Sequence, residues 1–520
     1  MTWQPELDEI AKRRALAMAM GGEDNVARQR KAGRLTVRER IELVLDPDSF
    51  EEVGSVAGKA EYDAAGTLQG LVPANCVTGR GTIQNRPVIV CADEFTVRGG
   101  SADASIWEKF KLAERTAFDF RLPLVRLIEG SGGGGSVKTI ETRGHANLPG
   151  GLGGQSGGLH LCAQNLAEVP VVALALGSVA GLGAARLCIS HYSLMVKGIS
   201  AVFVAGPPVV GRLGEALSKD ELGGPHRQIE AGAVDDVVDT EAEAFARAAR
   251  FLAYLPSSVH ELPPRLVCDD PPDRAEEALL SIVPRDPQRA YLMRRIVEAI
   301  VDRDSLFEMG VGFGRSIITA LARFNGWPIA LMAGDPLNFG AAWDADTAQK
   351  IVRFVDFAET FHLPIVHLVD CPGFRVGSRA ESAGTLRHGC RAIAAINQTS
   401  VPWCSVIIRN VFGVGGGTHQ PQSRTCVRYA WPSARWGSLP LAGGIEAAYR
   451  AELEAREDPE QALAEIEARL AALQSPIRTA EAFGVEEIID PRDTRKLLCR
   501  FADMSAPLRT PGRSTFSLRP

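Results

Sequence analysis

Short apolar runs alternate with longer amphipathic stretches along most of this chain. "RPVIVCAD" from Arg86, "LPLVRLIEG" from Leu122 and "VPVVALALG" from Val169 are aliphatic and β-branched runs bounded by Pro, Gly or Asp. That pattern predicts buried strands. Ser105 to Phe120 instead repeats its apolar positions at helical spacing, and residues 4–46 read as charged helices. Within the latter, "RQRKAGRLTVRERIELVLDPDSF" offers Thr36 as a cap and Pro47 as a stop. Near the C-terminus "EAAYRAELEAREDPEQALAEIEARLAALQ" predicts a helix pair broken at Pro459. Strand–helix alternation of this kind predicts α/β layers.

The pattern then starts again. "LVLDPDSFEEV" at Leu43 is echoed by "AIVDRDSLFEM" at Ala299, and "NRPVIVCADEFTVRGGS" by "GWPIALMAGDPLNFGAA". "FRLPLVRLIEG" is echoed by "FHLPIVHLVDC", and "EVPVVALALGSVAGLG" by "SVPWCSVIIRNVFGVG". Pro87 and Pro328 are 241 positions apart, as are Pro123 and Pro364; Pro170 and Pro402 are 232 apart, as are Gly183 and Gly415. Echoes in one order at constant shifts predict a domain duplication. The stretch from Leu255 to Pro287 is dense in proline and reads as a linker. The expected organisation is therefore 1–255, a linker over 256–286, and 287–520.

Bulk composition narrows the function classes. The 520 residues carry 45% apolar and 23% charged side chains, as soluble globular proteins do. A net charge of −6 gives nucleic acid no overall electrostatic attraction. Ten cysteines occur with no CxxC pair and no Cys/His cluster at zinc spacing, so no metal site is expected. The start, "MTWQPELDEIAKRR", lacks a signal-peptide core, and no long uncharged apolar run occurs. A cytoplasmic protein without a membrane segment is expected.

Candidate chemistry lies where two apolar strands break into glycine. "ALALGSVAGLGAARL" from Ala173 and "CSVIIRNVFGVGGGT" from Cys404 each run from strand into a Gly-x-Gly turn. Main-chain N–H groups at such a helix start have no helical acceptor and favour negative charge. One such turn is commonly just a tight turn. Two at equivalent places suit a reaction in which two carbonyl oxygens become oxyanions.

The motifs "GRLTVRERIELVLDPDSFEE", "FTVRGGS", "LMVKGISAVFVAGPPVV", "ELGGPH", "VDCPGF", "LRHGCRAI" and "YAWPSA" occur in this order over nearly the whole chain. In them the sequence resembles the carboxyltransferase (beta) subunits of biotin-dependent acyl-CoA carboxylases, the propionyl-CoA and methylcrotonyl-CoA group. The resemblance implies an α/β fold of two tandem crotonase-like domains. It also implies transfer of a carboxyl group from carboxybiotin to the α (or vinylogous γ) carbon of an acyl-CoA, with decarboxylation by the same sites or a non-catalytic scaffold as alternatives. The family's thioester oxyanion hole falls at Leu182 and Gly183, and its biotin carbonyl hole at Val414 and Gly415. Biotin freed of its carboxyl group is the family's base. No Met-Lys-Met biotinylation motif is present, so biotin is expected on a separate biotin carboxylase/biotin carrier alpha subunit. A homo-hexamer is expected as well, each site lying between the N-domain of one chain and the C-domain of another.

Lys109 falls where the family has a basic residue near the coenzyme A phosphates, though a lysine on a charged helix is equally read as solvated. Arg98 in "TVRGG" is a second phosphate candidate. His388 and His226 read as structural, and Asp93 and Glu94 as turn caps in place of an acid/base pair. The chain also departs from the family. "EGSGGGGSVKTIE" replaces a loop that usually carries arginine, and Gly132 to Gly135 is either a pocket wall or a plain loop. Leu182 replaces a glycine but keeps the N–H. Gly416 and Gly417 stand where relatives have larger residues lining the acyl pocket, so room for a bulkier acyl group is expected.

Overall fold

The computed structural model describes residues 2–520 except 102–105, 131–136, 138–139, 142–143, 147–157, 457, 472, 517 and 519–520. The chain divides into two compact units, Met1–Glu261 with Leu518–Pro520, and Leu262–Ser517.

In the first unit, strands β1 (Glu51–Val53), β4 (Cys76–Ile83), β5 (Arg86–Asp93), β6 (Leu124–Gly130), β7 (Val171–Ala180), β8 (Tyr192–Val196) and β10 (Asp236–Val238) lie in that order across one sheet. Strand β9 (Ala201–Phe203) pairs with the end of β7, while β2 (Gly58–Tyr62) and β3 (Leu68–Pro73) form a separate hairpin. In the second unit β11 (Phe307–Met309), β12 (Ile317–Phe324), β13 (Trp327–Gly334), β14 (Ile365–Cys371), β15 (Trp403–Phe412) and β16 (Val427–Ala430) repeat the layout. There β17 (Arg435–Gly437) takes the place of β9, beside β15.

The duplication holds at the level of register. Ile89 pairs with Leu124 and Leu124 with Val171; Ala330 pairs with Ile365 and Ile365 with Trp403. These are the same positions at the shifts of 241 and 232 already seen in the sequence. Prolines mark the strand starts in both copies, where the missing N–H costs no ladder bond. Pro123 and Pro170 accept from Ile89 and Leu124, and Pro364 and Pro402 accept from Ala330 and Ile365. Each copy opens with an antiparallel hairpin closed by two residues of positive φ, Gln84-Asn85 and Asn325-Gly326. That backbone matches the twist of the flanking strands. The two parallel central strands of each copy are buried along almost their whole length, which explains their unbroken apolar runs.

Local signals act where the sequence places them. Thr36 caps the helix Val37–Val44 in a capping box with Glu39, and that helix ends before Pro47. The helix after "FTVRGGS" runs Trp107–Phe120 and stops at Arg121 in the left-handed region. The helix pair is broken where expected, with Arg450–Glu454 before the break and Pro459–Ala471 after it; Pro459 opens the second helix, since its absent N–H is not needed in the first turn. From Leu262 onward the proline-dense stretch packs into the second unit. Arg274 pairs with Asp270 and donates to the carbonyls of Ala299 and Val301.

Candidate functional site

Strand β7 ends at Ala180 and the chain turns at Gly181, with φ 59° and ψ −116°, into the helix Leu182–Cys188. Strand β15 ends at Phe412 and turns at Gly413, with φ 60°, into the short helix Gly413–Gly417. Gly181 and Gly413 are equivalent positions in the duplication. Glycine takes a positive φ without strain, and the φ and ψ of Gly181 together are open to glycine alone. Ala185 N–H is bonded to the Gly181 carbonyl at 3.0 Å, which leaves the N–H groups of Leu182, Gly183 and Ala184 ahead of the first helical acceptor. Val414 is 65% exposed at the second turn, while Gly415 and Gly416 are buried.

The two turns are held differently. In the first, Arg186 on the helix itself donates to Asp93 Oδ1 at 3.1 Å and stacks over Phe110. From the strand beneath, buried Arg126 on β6 donates to the carbonyls of Arg186 at 2.9 Å and Ile189 at 2.6 Å. Its other edge makes two 2.8 Å bonds to Glu114, which also accepts from Asn165. Burial pushes the Glu114 carboxyl up, but the Arg126 charge outweighs it and holds the group below the usual range.

Among the described residues no arginine bonds the second turn. Thr418 Oγ1 donates to the Val414 carbonyl at 2.9 Å, and Thr418 N–H to that of Gly415 at 3.2 Å. His419 Nδ1 meets the Gly416 carbonyl at 2.9 Å. Three groups then converge on the His419 carbonyl: His367 Nδ1 at 2.9 Å, Ser405 Oγ at 2.9 Å and Trp403 Nε1 at 3.1 Å. A carbonyl only accepts, so each histidine carries its proton on Nδ1. Burial pushes both imidazoles down to about 4. His367 stands at the position in β14 that Arg126 has in β6.

Deeper carboxylates also repeat. Glu129 at the end of β6 accepts from Gln29, Arg34 and Arg40, and its copy Asp370 accepts from Tyr291, Arg409 and Asn410. Burial raises the Asp370 carboxyl despite those partners. None of these arginines stood out in the sequence, because charged residues there read as surface. The one available signal was a polar residue inside each apolar run, Arg126 and His367, at matching places in two echoed segments.

Several expected residues sit elsewhere than the sequence suggested. Lys109 is not solvated: it is 8% exposed and donates to the Gly54 carbonyl at 3.1 Å. Its copy, Lys350, is buried likewise and donates to the Ile317 carbonyl, so this lysine bonds the main chain in both units, at a loop in the first and at the start of β12 in the second. Arg98 is exposed beside Gly99. Gly416 does not create acyl-pocket room, because a Cβ there would lie 2.7 Å from the Cys371 carbonyl and 2.9 Å from Val411 C. Only Gly417 faces open space. Gly416→Ala is therefore expected to cost about 1–3 kcal/mol by overpacking, and Gly417→Ala well under 1 kcal/mol, read from urea midpoints. Glu94 accepts from Thr96 N–H and Oγ1, and Asp93 pairs with Arg186, so neither is half of an acid/base pair. His388 is half-buried on the helix Thr385–Gln398 and His226 is exposed. Gly132 to Gly135 lie outside the described residues.

Two copies of one sheet each turn out of the same strand end at a glycine of positive φ. The chain matches the carboxyl transferase domain over residues 28–511 and belongs to that family. It is 32% identical over 505 residues to the propionyl-CoA carboxylase beta chain of Roseobacter denitrificans, covering 95% of both chains. It is 30% identical over 519 residues to the methylmalonyl-CoA carboxyltransferase 12S subunit of Propionibacterium freudenreichii subsp. shermanii, covering 98% of this chain and 95% of that one. The crystal structure of a transcarboxylase 12S hexamer with methylmalonyl-coenzyme A and methylmalonic acid bound superposes with a TM-score of 0.87 at 28% identity, over 99% and 97% of the two chains. Among the described residues no group of three or more His, Cys, Asp or Glu could hold a metal ion, and no helix is long and apolar enough to cross a membrane.

Proposed function

We propose that this chain is the carboxyltransferase subunit of a biotin-dependent acyl-CoA carboxylase. Leu182 and Gly183 N–H hold the thioester oxygen of an acyl-CoA. Val414 and Gly415 N–H hold the ureido oxygen of biotin, which a separate biotin carboxylase/biotin carrier subunit presents. The reading rests on one observation, a glycine of positive φ at the equivalent strand end in each copy, Gly181 and Gly413. Biotin suits the second turn: its donors are main-chain amides beside exposed Val414, and open space lies beyond Gly417.

Carboxybiotin, when bound, supplies the carboxyl group; the chain's own part is electrostatic. Enolate charge on the thioester oxygen is met by amides already aimed at it, which need not reorganise as the charge develops. In other enzymes the loss of one such donor costs about 3–4 kcal/mol. The second pair of amides does the same for the ureido oxygen. Of the two residues weighed for the coenzyme A phosphates, Arg98 is exposed, whereas Lys109 is buried and bonded to the Gly54 carbonyl. Assembly as a homo-hexamer and a cytoplasmic location complete the proposal. It goes beyond the transcarboxylase 12S hexamer, to which only the family and the fold connect this chain.

The test is co-expression with biotin-bearing subunits, followed by 14C-bicarbonate fixation with ATP across an acyl-CoA panel. Label in the acyl-CoA fraction that depends on this chain is the expected result. A stable biotin-loaded complex that fixes no label on any acyl-CoA would sink the reading.

A further inference from the structure

In a regular α-helix the Val414 carbonyl would accept the N–H of Thr418. Here that N–H has shifted to Gly415, the tighter pairing common at helix ends, and the Thr418 hydroxyl has taken its place at 2.9 Å. A peptide unit is planar and trans, so its C=O and N–H point in opposite directions. The carbonyl of Val414 and the N–H of Gly415 belong to one such unit. Whatever holds the first aims the second.

We propose that Thr418 is the positioning residue of the second oxyanion turn: its hydroxyl, by holding the Val414 carbonyl, fixes the direction of the Gly415 N–H. This inference rests on the reading that Gly415 N–H serves biotin's ureido oxygen. Thr418 is itself anchored. It is 4% exposed, and the next residue is tied at both ends, by its ring to the Gly416 carbonyl and by its own carbonyl to His367, Ser405 and Trp403. The first turn needs no such hydroxyl. There a seven-residue helix carries its own bonds, and Arg186 and Arg126 secure the far end. The second turn spans five residues, too few for helical bonds alone to orient each plane, and a side chain supplies what is missing.

The test runs the transfer in reverse with the intact chain. The donor is the carboxylated form of the best acyl-CoA from the panel, and the acceptor is free biotin. The C–C bond to the carboxyl breaks, the N1–C bond forms, and the proton displaced from N1 goes to the acyl α-carbon. Thr418→Val and Thr418→Ala, which lack the hydroxyl, are expected to lower kcat about tenfold or more, a part of what full loss of a donor costs. The KM for acyl-CoA should not move, because the first turn is untouched. Thr418→Ser keeps the hydroxyl and should stay within about threefold of the unmodified chain. Thermal midpoints of all three variants separate misaiming from misfolding, and alanine cannot overpack if valine does. Turnover by either hydroxyl-free variant within about twofold of the unmodified chain overturns the inference and leaves the functional reading standing. Equal losses in the serine and alanine variants also overturn it. No turnover by the unmodified chain overturns the functional reading first.

Discussion

Acidification from pH 6.5 to 4 is expected to remove about 6 kcal/mol of stability from the second unit through two histidines alone. Burial depresses His367 and His419 to about 4 in the folded chain, whereas an unfolded histidine titrates near ~6.5. Between those values the unfolded chain holds the proton and the folded chain does not. Stability is therefore full above pH 6.5 and is lost as pH falls toward 4, by about 3 kcal/mol for each group. The structure shows why protonation is resisted at His419. Its Nδ1 already serves the Gly416 carbonyl, and its buried Nε2 has no partner to receive a second N–H. A carboxyl raised by burial works in the opposite direction. Asp370, raised by burial, favours the folded state as pH falls, and offsets part of the loss. A variant isolates the histidine share. In urea titrations at stepped pH, His367→Gln should lose about half as much across this window as the unmodified chain. An unchanged slope would show that His367 is not the group taking up the proton.

Glu114→Leu is expected to destabilise the first unit by about 3–5 kcal/mol, because it leaves the Arg126 guanidinium buried without its counter-charge. Arg126 is completely buried and makes both of its carboxylate bonds to Glu114. Arg126→Met in the same background should restore part of that stability, since a buried ion pair is often replaceable by apolar side chains of similar volume, although the carbonyls that Arg126 held then go unpaired. Transfer should not recover with it. The carbonyls of Arg186 and Ile189, which the guanidinium holds at 2.9 and 2.6 Å, stay unpaired, and the helix behind Leu182 and Gly183 is free to shift. Urea midpoints read the first effect and the carboxyl-transfer assay the second. A double variant as unstable as Glu114→Leu alone would mean that the two charges are not energetically coupled.

What the sequence disclosed and what it hid follow one physical division. Backbone constraints leave local marks. Proline before each parallel strand and Gly-x-Gly at the strand ends are short-range, and they made the duplication, its shifts and both turns legible. Side-chain pairings across a hundred residues leave no such marks. Arg40 reaches Glu129 and Glu241, and Arg495 reaches Asp302, yet each reads in sequence as a solvated charge. Lys109 misled for the same reason, its burial beside Gly54 being a property of the packed sheet. Gly416 misled in another way. Its lack of a side chain suggested space, but the neighbouring backbone fills that space.

In the proposed function the donors at both turns are main-chain amides, which no codon specifies directly. Replacement of a side chain at Leu182 or Val414 leaves its N–H in place. What inheritance must preserve is the pair of left-turning glycines and the residues that hold each plane at its angle. Those holders already differ, a guanidinium in one half and a hydroxyl beside a neutral imidazole in the other. The two halves can therefore drift in composition, from relatives and from one another, while the geometry presented to a substrate stays the same.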